Sequence, residues 1–254
     1  MRGAAIAAMS TAAVVAASGC ATTAQAPARD NPEIAFHTRV PKVRIPGSGS
    51  IAIAVQDGRA EVRSREEPPE YCGVFYNLKG FAFMVKTASN GSLSADFAYV
   101  IARGLRAAGF RVAVVKTPPG QADAATFEAF RSNAANRSLL IVIEDWATDT
   151  NIRTFLKYRV SAFVWDEQGR EIARNQISGS DNLGGGMTPA DHLREVVPDA
   201  TRERLELLLN APTIAQALTA APRPPSDARP PPTAVPAALP LPSGVQAPPA
   251  VPAP

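Results

Sequence analysis

Two cysteines and two histidines are all that 254 residues offer for disulfide, metal or imidazole chemistry. No Cys/His metal-ligand spacing occurs, and neither His37 nor His192 is placed for a Ser-His-Asp set. A zinc centre and a catalytic triad are thereby excluded, and both imidazoles are expected at the surface. Charge of one sign is equally scarce. Lys and Arg total 26 against 23 Asp and Glu, with no run of five or six like charges. A nucleic-acid-binding face is not expected from such a balance. Phosphate-cradling loops are missing too: Gly184, Gly185 and Gly186 lack a following Lys-Ser/Thr and read as a turn.

What is present begins at the N-terminus. Arg2 precedes an Ala-rich stretch, residues 4–17, with Ile6, Met9, Val14 and Val15. A charged start, a short apolar stretch and small residues before a cut make up a secretory signal. The alternative, a permanent membrane helix, needs about 20 apolar residues. The small residues read Ala17-Ser18-Gly19-Cys20. This resembles the lipobox of bacterial lipoproteins, with Ala17 where that family prefers Leu. The resemblance implies a diacylglycerol on the Cys20 thiol, cleavage before it, and acylation (palmitate or similar) of the new amino group. Two or more chains hold a protein stably on a bilayer. Ala21 follows the Cys rather than Asp, which in that family's sorting logic implies the outer membrane. The alternative is an ordinary signal peptide with a Cys nearby.

If Cys20 carries lipid, Cys72 is left single. A lone exported thiol is either buried and inert or paired with another chain. Composition then divides the chain. Residues 1–19 are the expected signal and 20–49, rich in Ala, Thr, Pro, Gly and Ser, a flexible tether reaching roughly 90 Å, with room for one short strand near residues 35–43. Residues 50–220 are the expected domain. Residues 221–254 hold 13 of the 24 prolines. Such a tail is expected to be extended or disordered and to span roughly 100 Å.

Within the domain, residues 51–55 form an apolar β-rich run, and 74–76 and 81–85 read as further strands. Ser92 offers a helix cap, Ala98, Ile101, Leu105 and Ala108 follow at helical spacing, and Gly109 stops the helix. Residues 110–115 read as a strand, 122–135 as a helix and 139–143 as a buried strand. Residues 154–165 alternate as a long strand, 166–169 turn, and 170–180 return. Thr188-Pro189 opens a last helix that Pro198 is expected to kink or split. This order gives an α/β (α+β) fold class: one two-layer domain, a mixed sheet with helices on one side, flanked by disordered tethers.

With these elements placed, the chain resembles the YajG family of small envelope lipoproteins. More distantly it resembles the LpoB and TolB amino-terminal type of domain. The resemblance rests on Val55-Gln56-Asp57-Gly58-Arg59, on Gly109-Phe110-Arg111-Val112, and on Ile141-Val142-Ile143-Glu144-Asp145-Trp146 with its following hairpin. It spans roughly residues 50–210 and implies no activity.

Glu144, Asp145 and Asp149 cluster after a buried strand. Neighbours 144 and 145 should point to opposite faces, which argues against an acid–base pair. No catalytic residue, cofactor, metal or small-molecule substrate is therefore expected. Phe155, Tyr158 and Trp165 are the expected partner surface if one face of the hairpin stays uncovered. The function expected is a non-enzymatic, lipid-anchored periplasmic protein that binds another envelope component, either a protein or peptidoglycan. Alternatives are a regulator of cell-wall synthesis that reaches a synthase through its arms, and an envelope hydrolase.

Overall fold

A computed structural model describes residues 31–117, 123–133 and 135–221. The signal, Cys20 and the tail from 222 onward lie outside the described residues. Eight strands form a single mixed sheet. They are β1 (Glu33–Ile34), β2 (Ser50–Asp57), β3 (Tyr71–Tyr76), β4 (Ala82–Thr87), β5 (Arg111–Val114), β6 (Arg137–Thr150), β7 (Thr154–Trp165) and β8 (Glu171–Asn182). The helices are α1 (Ala60–Arg63), α2 (Leu93–Ala107), α3 (Asp123–Arg131), α4 (Pro189–Leu209) and α5 (Pro212–Thr219).

The spine of the sheet is β6. Along one edge it pairs antiparallel with β7 over its whole length, and β7 pairs with β8. Along the other edge it serves two strands in succession. Residues 137–143 pair in parallel with β2, and residues 148–150 pair in parallel with β3. The sheet therefore forks: β2 carries β5 on its far side, and β3 carries β4 and then β1.

Burial follows from the side-chain alternation of strands. In β2, Ile51, Ile53 and Val55 face the main core, while Ala52 and Ala54 face a smaller cluster on the other side. A strand covered on both faces must be apolar throughout, which accounts for its sequence. Helices α2, α4 and α5 pack over the main-core face. Short α3 covers the small-residue face at the β2 end through Phe130. Ser92 caps α2 by accepting the Ala95 N–H at 3.1 Å, and Gly109, at φ +104°, ends it.

Two expectations fail here. Residues 31–49 are not a loose tether where they are described. Ile34 and Phe36 are wholly buried, and Phe36 stands edge-on to Phe97, 5.8 Å between ring centroids. Beyond them, Arg39 pairs with Asp199, and the Lys42 and Arg44 N–H groups donate to Glu206 and Asn210. The stretch is a strap across α4, held by two large apolar residues among many polar ones. The split, one of the two outcomes expected at Pro198, does not occur either. Helix α4 runs unbroken for 21 residues, with Leu193, Val197, Leu205, Leu208 and Leu209 buried. An interior proline costs a helix about 3 kcal/mol, through the missing N–H and the clash of its ring with the preceding turn. That apolar stripe outweighs it, at about 1.5–3 kcal/mol for each buried Leu or Val.

Candidate functional site

The fork needs a plug where β2 leaves β6 and β3 has yet to arrive. Asp57, Gly58 and Arg59 supply it. The Gly58 N–H donates to the Ile143 carbonyl at 2.9 Å, and the chain then turns away from the sheet. Arg59 is 0% exposed and Asp57 1%. The Arg59 guanidinium donates to both Asp57 carboxylate oxygens, at 2.9 and 2.7 Å. It also donates to the carbonyls of Tyr71, at 2.7 Å, and Trp146, at 3.3 Å. One side chain thus ties the end of β2, the start of β3 and the middle of β6. Burial pulls the guanidinium down, but hydrogen bonding and charge from Asp57 outweigh it and the group is held above its ordinary value. Carboxylate and guanidinium saturate one another, so the plug is a structural pair.

Cys72 lies beside it as the extra residue of a bulge in β3. It is 0% exposed, and burial pushes its thiol well above the ordinary range. Of the two alternatives for this residue, the structure shows the buried thiol.

The expected partner residues do not come together. Phe155 and Trp165 point to the outer face of β7, and Tyr158 points to the main core. Tyr158 lies over Gly179, where a Cβ would stand 2.6 Å from its hydroxyl oxygen. Phe155 is 41% exposed, but Trp165 stacks on Phe163 and leans on Phe130 of α3. Ten residues of strand, about 33 Å, separate Phe155 from Trp165.

Between them the outer face of β6, β7 and β8 is polar and uncovered. The β6–β7 register shifts between Ile143 and Asp145. The bulge puts both Glu144 and Asp145 on this outer face, against the expectation of opposite faces. Glu144 accepts from Ser161 and from Gln176, and Asp145 pairs with Lys157 at 2.8 Å. Arg174 stacks over Phe163 at 4.7 Å. The two carboxylates are each engaged by neighbouring side chains rather than by one another, so they do not form an acid–base pair.

Other polar clusters are likewise occupied. A groove of about 420 Å³ between α5 and β8 holds Arg137, Arg170 and Arg174. Arg137 donates to the Ala217 and Ala220 carbonyls at the end of α5, Arg170 pairs with Asp166, and Arg174 with Glu171. His192 contacts the Leu183 carbonyl at 3.1 Å. Exposed His37 lies close enough to Asp96 for its charge to act on it, and Ser89 hydrogen-bonds the same carboxyl. Among the described residues no group of three or more His, Cys, Asp or Glu is placed to hold a metal ion.

Asp96 is nevertheless informative. Burial pushes its carboxyl up, against the opposing effects of Ser89 and His37, and its Oδ2 has no hydrogen-bond partner. A carboxyl raised in the folded state takes up a proton on folding. Stability therefore falls as pH rises through the window above its free value of 3.8. The cost grows as the pH climbs above that value. Asp96→Asn should raise Tm at neutral pH, with the gain shrinking as the pH approaches that free value. A pH-independent gain in thermal melts would contradict the assignment.

No family model matches the chain, and no curated protein matches it in sequence. The likeness to YajG thus stays at the level of the quoted strands and turns. Among solved structures, a DUF330 protein from Xanthomonas campestris aligns at 12% identity over 73% of this chain and 94% of that one, TM-score 0.45. PelC from Paraburkholderia phytofirmans, solved as a dodecamer, aligns at 15% over 70% and 94%, TM-score 0.36. A lipoprotein from Neisseria meningitidis aligns at 14% over 62% and 98%, TM-score 0.25. At these identities and scores the likenesses carry no argument about activity, partners or assembly.

Proposed function

We propose that this chain is a bacterial envelope lipoprotein without catalytic activity. It is held by lipid on Cys20 with its domain in the periplasm, at the outer membrane by the sorting logic of Ala21. It binds another envelope component, a protein or peptidoglycan, through the uncovered outer face of β6, β7 and β8. The observation that carries the reading is the Ala17-Ser18-Gly19-Cys20 sequence behind a secretory signal layout. The structure adds that no described helix is long and apolar enough to cross a membrane. It also supplies a face on which Lys157, Arg159 and Arg174 alternate with Glu144 and Asp145. Such a mixed surface favours a partner of complementary pattern over a uniformly charged polymer.

Metabolic labelling with a radioactive fatty acid tests the anchor. Wild type should take up label and Cys20→Ala should not. Equal labelling of both would remove the anchor.

A further inference from the structure

Nine large apolar side chains are exposed among the described residues, and five of them gather at one end of the sheet. Leu78, 94% exposed, and Phe81 sit on the β3–β4 hairpin tip. Ile152, 74% exposed, tops the β6–β7 tip. Met187, fully exposed, lies in the loop after β8, and Phe155 begins β7 beside them. The ladders show that these tips are neighbours. Met84 is level with Val74, Val74 with Asp149, Asp149 with Phe155, and Phe155 with Asn182. Adjacent strands are about 4.8 Å apart, so the five strand ends form one row some 19 Å wide. The Leu183 N–H donates to the Thr154 carbonyl, which holds the Met187 loop against the same end. Exposed Lys79 follows Leu78, and exposed Arg153 follows Ile152. An apolar tip beside a cation is the pattern of segments that rest in a lipid headgroup layer.

The entry of the chain points to the same end. Strand β1 runs parallel to β4, pairing Glu33 with Lys86 and Ile34 with Thr87. Since β4 runs away from the Phe81 tip, the chain before β1 arrives from the tip side. Continuing the register sets Asn31 beside Met84, about 10 Å from the tip. Only eleven residue steps separate Cys20 from Asn31, a reach of about 40 Å when taut. The opposite end, at the β7–β8 turn, lies about 35 Å of strand away from the level of Asn31. Presenting that end to the bilayer would demand a nearly straight connection. Presenting the tips demands almost none.

We propose that the tip end is a membrane-facing surface, with Leu78, Phe81, Ile152 and Met187 seated in the headgroup layer of the phospholipid bilayer that holds Cys20. The proposal rests on the lipid-anchor reading. It leaves the recognition face standing upright from the membrane.

The test uses the full lipidated chain, extracted from membranes and reconstituted in phosphatidylethanolamine–phosphatidylglycerol vesicles. Leu78→Cys, Ile152→Cys, Met187→Cys and, at the far turn, Gln168→Cys are each labelled with an environment-sensitive fluorophore. Buried Cys72 stays unlabelled in the folded chain. Labels at 78, 152 and 187 should shift to the blue and be quenched by brominated lipid, and the label at 168 should do neither. Chains that float with vesicles but show no quenching at the tips, or cross-link there to a protein instead, overturn the membrane-facing end and leave the anchor intact. A wild type that carries no lipid and does not float removes the anchor and this proposal together.

Discussion

Arg59→Met should destabilise the domain by about 3–5 kcal/mol, the cost of stranding one member of a buried ion pair. Native domains have only about 5–15 kcal/mol to lose. The substitution leaves the Asp57 carboxylate at 1% exposure with no guanidinium against it. It also orphans the carbonyls of Tyr71 and Trp146. Arg59→Lys should be nearly as damaging, since one ammonium cannot match the two-pronged contact and still reach both carbonyls. Asp57→Leu combined with Arg59→Met should recover part of the loss, because no bare charge remains. Urea titrations followed by tryptophan fluorescence would measure all three, and a loss under about 1 kcal/mol for Arg59→Met would show that the plug is dispensable.

Gly73→Ala should do still more harm for its size. Gly73 has φ +143°, and a Cβ there would stand 2.0 Å from the Thr148 carbonyl oxygen and 2.4 Å from the Thr148 nitrogen. Neither is a flexible side-chain tip that could step aside. Thr148 is the residue with which Gly73 pairs, so the methyl group would sit inside the β3–β6 ladder. Backbone strain and overpacking each cost about 1–3 kcal/mol. The expected result is a loss of about 3 kcal/mol or more, with β3, β4 and β1 released together. Limited proteolysis should then cut within residues 71–87 while the β6–β8 part resists. A variant as resistant as wild type would show that β3 has room to shift.

Local patterns were readable from the chain. The apolar run of β2, the Ser92 cap and Gly109 stop of α2, and the alternation of β7 each depend on residues close in sequence. What stayed hidden depends on distant partners. The strap is one case: Ile34 and Phe36 stand among Pro, His and Arg residues that read as linker, and their pocket is built by β4, α2 and α4, the last more than 150 residues later. The bulge in β6 is another. A one-residue insertion has no signature of its own, yet it reverses the facing of everything after Ile143 and brings Glu144 and Asp145 to one side. Phe155 and Tyr158 differ in parity along β7, so alternation alone separates them. The fork was missed because Asp57-Gly58-Arg59 has the composition of a solvated turn. The available signal was an Arg two residues beyond an Asp at the end of a strand apolar on both faces.

The strap also bears on how the domain folds. Its bonds to α4 join residues 160, 164 and 166 positions apart, and the β2 and β6 partners are 86 apart. Closing loops of that length costs entropy before any contact repays it, so the topology folds slowly. A helix near the end of the domain clamps its first described segment. A chain delivered N-terminus first can give Ile34 its β4 neighbour and Phe36 its Phe97 neighbour early, but the bonds of Arg39, Lys42 and Arg44 wait for residues 199–210. The strap is therefore fastened only when the last turns of α4 have followed the rest of the sheet.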